Sequence, residues 1–242
     1  MSTEAPFFKW SFSQWETYNA CPARWKYQSV LKLPRKPPGP AAARGLQIHG
    51  TIEDYISQRT EVCHKDVSSK YFPVFDQFRN HPNGDRHCEY KFSLTEDWQV
   101  AGPLNAGKAW CVMVLDAVRV GDDHKGPHSK RTTPLVAHVG EWKSGRPKDT
   151  HGDQRKLYAL GSMIRWHDVD EVVVTTYYVE DTEKPQRLKV ANTDSARQKL
   201  KDLWKGRVDL MRSDKLCAPK PGQHCNWCDF SKKQGGPCVF GA

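Results

Sequence analysis

The segment Val112-Met113-Val114-Leu115-Asp116-Ala117-Val118 sets one carboxylate inside an otherwise apolar run. Such a run reads as a buried strand, here extending from Ala109 to Val120. A buried charge is costly unless something, such as a bound cation, keeps it ionised. A second strand is expected at Leu135–Lys143 and carries Glu141 and Lys143. Side chains alternate along a strand, so these two share a face. The polar stretch Asp122–Pro134 lets the two strands pair as a hairpin, bringing Asp116, Glu141 and Lys143 to one point. Two carboxylates can hold Mg²⁺, which takes hard oxygen ligands and keeps waters. A neighbouring lysine can position an attacking water and offset phosphate charge. Salt-bridged strands would show the same spacing, so the triple decides nothing alone.

The rest of the chain supplies context. Helices are expected at Ser13–Val30, Gly45–Arg59 and residues 66–79, then strands at His87–Leu94 and Gln99–Gly102. Ser11 or Ser13 can cap the first helix, with Glu16 completing a capping box on Ser13. Leu33–Ala43 is Pro-rich and basic and reads as a linker. Beyond the two central strands come a helix to about Trp166, a strand at Glu171–Val179 and an amphipathic helix at Asp194–Arg212. This order indicates an α/β chain with a central mixed sheet flanked by helices. The 242 residues suit a single domain, with sub-regions 1–44 (N-terminal helix and arm), 45–193 (core) and 194–242 (C-terminal helix and cysteine-rich tail).

Charge points to a polyanion. There are 37 Lys and Arg against 28 Asp and Glu, a net of +9. Residues 1–50 are net +5, residues 197–242 net +6 and the middle net −2. Basic walls flanking an acidic floor suit a nucleic-acid groove. Apolar runs fall far short of the roughly 20 residues of a membrane span, and Met1–Trp10 lacks an apolar signal stretch. A cytoplasmic protein without a membrane partner is expected. Its eight cysteines then read as metal ligands or buried thiols rather than disulfides.

Several residues stand at suggestive spacings. His49 lies on the second helix four residues after Gly45, with Glu53 one turn further on the same face. Gln154 and Tyr158 share a face of the fourth helix. Cys225-Asn226-Trp227-Cys228, followed by Cys238, is a signature for Zn²⁺ or an iron–sulfur cluster. The fourth ligand is Cys217, which spacing slightly favours, or the remote Cys21.

Taken in order, Gly45-xxx-His49, Asp116, Glu141-Trp142-Lys143 and Gln154-xxx-Tyr158 resemble the RecB-like branch of the PD-(D/E)xK nuclease superfamily. Cys21-Pro22 and the basic, aromatic run after it resemble the start of such proteins. The layout is similar to that of small CRISPR-associated iron–sulfur exonucleases and stand-alone phage nucleases. The resemblance implies a restriction-endonuclease-like core. It implies metal binding by His49, Asp116, Glu141 and the carbonyl of Trp142, with Mg²⁺ or Mn²⁺ as the ion. Lys143 would be the catalytic lysine, Gln154 and Tyr158 would lie beside the reacting phosphate or the bound strand, and Glu89 would be an accessory acid. A [4Fe–4S] cluster on Cys21, Cys225, Cys228 and Cys238 would join the two chain ends, structural Zn²⁺ being the alternative.

The function so implied is a metal-dependent DNA exonuclease, with single-stranded DNA among its substrates and a role in DNA processing or recombination. Homo-oligomers and recombination- or CRISPR-type partner proteins fit that role, as does a phage origin. A non-catalytic DNA-binding accessory protein on the same fold, and a sequence-specific endonuclease, are the alternatives. The long basic loop at Asp122–Pro134 departs from the simplest family pattern, so substrate preference does not carry over directly.

Overall fold

The computed structural model describes residues 8–81, 86–104, 107–121 and 133–241. In chain order the elements are β1 (Trp10–Ser11), α1 (Phe12–Ala20), α2 (Pro22–Trp25), α3 (Pro40–Ile56), α4 (Phe72–Arg79), β2 (Arg86–Leu94), β3 (Val100–Gly102), β4 (Cys111–Gly121), β5 (Val136–Lys143), α5 (Thr150–Arg165), β6 (Glu171–Tyr178), β7 (Gln186–Ala191) and α6 (Asp194–Ser213). They divide into two compact units, residues 39–202 and residues 1–38 with 203–242. Most of the basic loop expected at Asp122–Pro134 lies outside the described residues.

In the larger unit the strands lie in the order β3-β2-β4-β5-β6-β7. Strands β4 and β5 pair antiparallel from Ala117 opposite Gly140 to Gly121 opposite Val136. Strands β5 and β6 pair parallel, Glu141 opposite Thr176 and Lys143 opposite Tyr178. A parallel neighbour needs a crossover, and α5 is that connection. The sheet is therefore mixed and flanked by helices, an α/β fold of the restriction-endonuclease-like kind expected from the sequence.

The two faces of β5 are used differently. Trp142 points into a core with Ile48, Ile52 and Ile56 of α3 and Phe75 and Phe78 of α4. Phe75 and Phe78 meet its ring edge-on at 5.1 and 5.6 Å. Gly140 leaves room for that indole, since a Cβ there would come within 2.5 Å of it. Glu141 and Lys143 point to the opposite face, where α5 lies. At Gly161 that helix comes so close to Met113 of β4 that a Cβ would meet its sulfur at 2.2 Å.

Several elements differ from the sequence expectation: β1 was not expected, the helix expected at 66–79 begins at Phe72, and three more differ as follows. Helix α3 begins at Pro40 rather than Gly45, because proline suits the first helical position and three alanines follow it. The expected helix Ser13–Val30 breaks at Cys21, which is extended (φ −162°). A residue before proline is driven out of the helical region, and Pro22 then starts α2; a π-helical turn follows at Lys26–Val30. Ser11 rather than Ser13 caps α1, accepting the Gln14 N–H at 3.4 Å. Strand β7 was not expected. It is a half-exposed edge with Arg187 and Lys189 on its sequence, and its short alternation is easily read as loop.

The smaller unit is built on aromatics. Trp10 stacks on Trp204 at 5.6 Å, and Trp15 meets Trp204 edge-on at 5.1 Å. Trp204, Val208 and Met211 form the buried stripe of the last turns of α6. The Arg207 guanidinium lies over both Trp15 and Trp204. Tyr18 of α1 donates to the Asp214 carboxylate at 3.0 Å, fastening the start of the chain to its tail.

Candidate metal centre

The centre of the larger unit gathers carboxylates from three strands. Asp116 comes from β4, Glu141 from β5 and Glu89 from β2. The β4–β5 ladder ends at Ala117 and Gly140. Just beyond it, Asp116 Oδ2 accepts the backbone N–H of Trp142 at 2.8 Å. A side-chain oxygen thus takes the main-chain donor of the neighbouring strand, tying Asp116 to the strand that carries Glu141.

His49 approaches from α3. It follows Ile48, so it stands at the edge of the buried Ile48, Ile52 and Ile56 stripe, and its Nδ1 is 3.6 Å from Asp116 Oδ2. Gly45, one turn earlier, allows the helix to pass the end of β5, where a Cβ would touch Ser144 Oγ at 3.0 Å. Glu89 is held in a left-handed conformation (φ +48°) within β2. That conformation is uncommon for a residue with a side chain. One ligand atom each from His49, Glu89 and Asp116 lie within 4.8 Å of one another. No periodicity in His87-Cys88-Glu89-Tyr90 announces that twist, so the sequence marks Glu89 only as accessory.

Glu141 is the most constrained acid. It is 3% exposed. Its Oε1 accepts from Lys143 Nζ at 2.5 Å and from the Gln154 amide at 2.7 Å. The same amide nitrogen also donates to the Tyr158 hydroxyl at 3.0 Å. Its other oxygen, Oε2, is buried and has no hydrogen-bond partner among the described residues. A buried acceptor of this kind is costly, and the donor it lacks is what a cation supplies.

The electrostatics agree with that reading. Burial, and then the Glu141 charge, push Asp116 well above the usual carboxylate range, against the pull of Lys143 and the Trp142 N–H. Burial, and then Glu53, push Glu89 up. Burial pushes His49 down, which favours the neutral imidazole that metals bind. Burial and the nearby Glu141 keep Tyr158 firmly protonated. A site that disfavours its own negative charge, and holds neutral nitrogen and oxygen donors together, fits a divalent cation.

The structure thus brings His49, Glu89 and Asp116 together, with the hydrogen-bonded set Glu141, Lys143, Gln154 and Tyr158 beside them; Glu141 is not among the groups whose ligand atoms all lie within 4.8 Å of one another. The Trp142 side chain points away into the core, so only its backbone belongs to this place.

The smaller unit holds five of the eight cysteines. Cys21, Cys225, Cys228 and Cys238 line one small pocket, with Tyr27, His224 and Phe230. The extended break at Cys21 turns its sulfur toward the tail, where it accepts the Lys220 N–H at 3.5 Å. Burial pushes the Cys228 thiol up, and the Cys21 and Cys238 sulfurs add to that shift. Cys217 does not line the cavity; its thiol donates to the Asp214 carbonyl at 3.2 Å. Thiols in this number could hold a thiolate-ligated metal group, but their sulfurs are not among the ligand atoms that lie within 4.8 Å of one another. Cys63 and Cys111 are buried, and Cys88 donates to the Asp116 carbonyl at 3.2 Å.

Residues 9–102 match the model of the PD-(D/E)XK nuclease superfamily. The stretch contains His49 and Glu89 and ends before Asp116. That part of the chain is thus similar to a superfamily of nucleases. No curated protein matches the chain. Among solved structures, the crystal structure of SSO0001 is 13% identical, with a TM-score of 0.44, over 96% of this chain and 88% of that one. A crystal structure described as "Putative exonuclease" from Eubacterium rectale is 11% identical, with a TM-score of 0.43, over 99% and 91%. No helix among the described residues is long and apolar enough to cross a membrane.

Proposed function

We propose that this chain, matched over residues 9–102 by the PD-(D/E)XK nuclease superfamily, is a divalent-metal-dependent deoxyribonuclease. It acts as an exonuclease that accepts single-stranded DNA, in DNA processing or recombination. The observation that carries the reading is Glu141: one oxygen is clasped by Lys143 and Gln154, and the other is buried with no partner among the described residues.

His49, Asp116 and Glu141, with the Trp142 carbonyl, would hold Mg²⁺ or Mn²⁺, and Glu89 joins them. When bound, the ion polarises a phosphate oxygen and lowers the pKa of a water. The Trp142 N–H holds Asp116 in place for this. Lys143 orients Glu141 and offers positive charge to the phosphate. Gln154 fixes Glu141 and aligns the protonated Tyr158 hydroxyl beside the bound strand. In the smaller unit, Cys21, Cys225, Cys228 and Cys238 would hold a [4Fe–4S] cluster, whose role is to hold α1 and the tail together.

The test is digestion of end-labelled DNA with Mg²⁺, Mn²⁺ or EDTA. Progressive shortening from an end that EDTA abolishes supports the proposal. Full activity in EDTA refutes the metal centre. Cuts at defined internal positions would make the protein a sequence-specific endonuclease, and binding without any cleavage would make it an accessory protein.

A further inference from the structure

The smaller unit carries nearly all of the chain's excess charge. Residues 1–38 and 203–242 hold 13 Lys and Arg against five Asp and Glu, a net of +8, whereas the whole chain is +9. The larger unit, with 24 against 23, is close to neutral. Part of that excess converges from both ends of the chain. Arg35 lies 3.6 Å from Asp229. Lys36 donates to Gln234, which sits on the same short turn as Lys232 and Lys233. The N–H groups of those two lysines donate to the carbonyls of Phe240 and Gly241 at 3.2 and 3.1 Å. Arg35, Lys36, Lys232 and Lys233 are thus all exposed, and Asp229 is the acid beside Arg35.

An exposed apolar edge runs beside these cations. The chain has nine tryptophans. Eight are at most 6% exposed, and Trp227 is 75% exposed. Val239 and Phe240 are exposed as well. Gly241 lies against Cys225, so this segment adjoins the turn Gln223–Trp227. A protein that buries every other indole leaves this one exposed, on the turn that adjoins the Phe240–Gly241 segment to which Lys232 and Lys233 are bonded. Flat π-faces beside positive charge are what single-stranded nucleic acid recognises: phosphates meet the cations and unpaired bases stack on the ring. A duplex keeps its bases stacked on one another and offers mainly phosphates.

We propose that the tip formed by Trp227, Arg35, Lys36, Lys232 and Lys233 binds single-stranded nucleic acid, with a base stacked on the Trp227 indole. This surface lies in the cysteine unit, and the assignment holds whether or not the chain cuts what it binds.

The test is fluorescence anisotropy with the full-length protein, without added divalent cation. A labelled oligo-dT and a duplex of equal length are titrated across a range of salt. Trp227→Ala should weaken oligo-dT binding by roughly tenfold or more, while duplex affinity and the salt slope stay unchanged. Trp227→Phe should restore most of the loss, which separates stacking from misfolding. Lys232→Ala and Lys233→Ala should weaken both ligands, each lowering the oligo-dT salt slope by about 0.7. Wild-type oligo-dT affinity in Trp227→Ala would overturn the proposal, as would a Trp227→Phe variant as weak as Trp227→Ala. A change of oligomeric state in Trp227→Ala, seen by light scattering with oligo-dT affinity intact, would overturn it in favour of a second copy on this surface.

Discussion

Asp116 and Glu141 sit close together in a place that disfavours charge. Without metal they repel, and this shows in the burial- and Glu141-driven rise of the Asp116 pKa. Glu141→Gln should therefore lower cleavage by roughly 10²–10³-fold, yet leave the melting temperature in EDTA equal or higher, because a buried like charge is gone. A lower melting temperature would contradict that reading. The same shift sets a pH dependence. Asp116 binds its proton more tightly folded than unfolded, so its contribution is fully present below the unfolded value of about 4 and is lost as pH rises toward the raised folded value. Metal-free protein should thus lose stability across that window, and added Mn²⁺ should stabilise it more at the upper end, as melting curves at several pH values would show. At this scale the sequence is informative where a charge interrupts an apolar pattern, as at Asp116, or alternates on a strand, as at Glu141 and Lys143. It is silent where backbone geometry decides, as at Glu89, whose left-handed turn within β2 has no glycine to mark it.

Strand β5 serves two layers at once, with Trp142 on one face and Glu141 and Lys143 on the other. Its position depends on Gly140. Gly140→Ala would push a Cβ into the Trp142 and Phe78 rings, and overpacking of this kind costs about 1–3 kcal/mol. Chemical denaturation should record that loss, with cleavage falling because Glu141 and Lys143 follow their strand. Unchanged stability would mean the indole can move freely. Elements with a clear apolar period, such as β4 and the buried stripe of α6, were legible from the sequence. The break at Cys21 is also written there, in the proline that follows it, but the aromatic run around it reads as one continuous helix. Strand β7 was hidden because its residues are only half buried.

At the scale of the molecule, the chain ends form one unit and the residues between them another. Spacing alone could not choose between Cys21 and Cys217, since a contact between distant segments leaves no periodic trace. The cavity lined by Cys21, and not by Cys217, makes the choice testable. Anaerobically purified protein should be brown, with broad absorption near roughly 400 nm. Cys21→Ser should lose that colour and expose the tail to proteases, because metal binding at such a site is also folding free energy; Cys217→Ser should keep both colour and resistance. Colourless protein with one zinc would replace the cluster by a zinc site. Whether Glu141 completes a metal centre for phosphodiester hydrolysis is read out by the cleavage of end-labelled single-stranded DNA in Mn²⁺ by wild-type and Glu141→Gln protein. Rapid shortening by the wild type and almost none by the variant is the predicted result; equal rates for the two would contradict it.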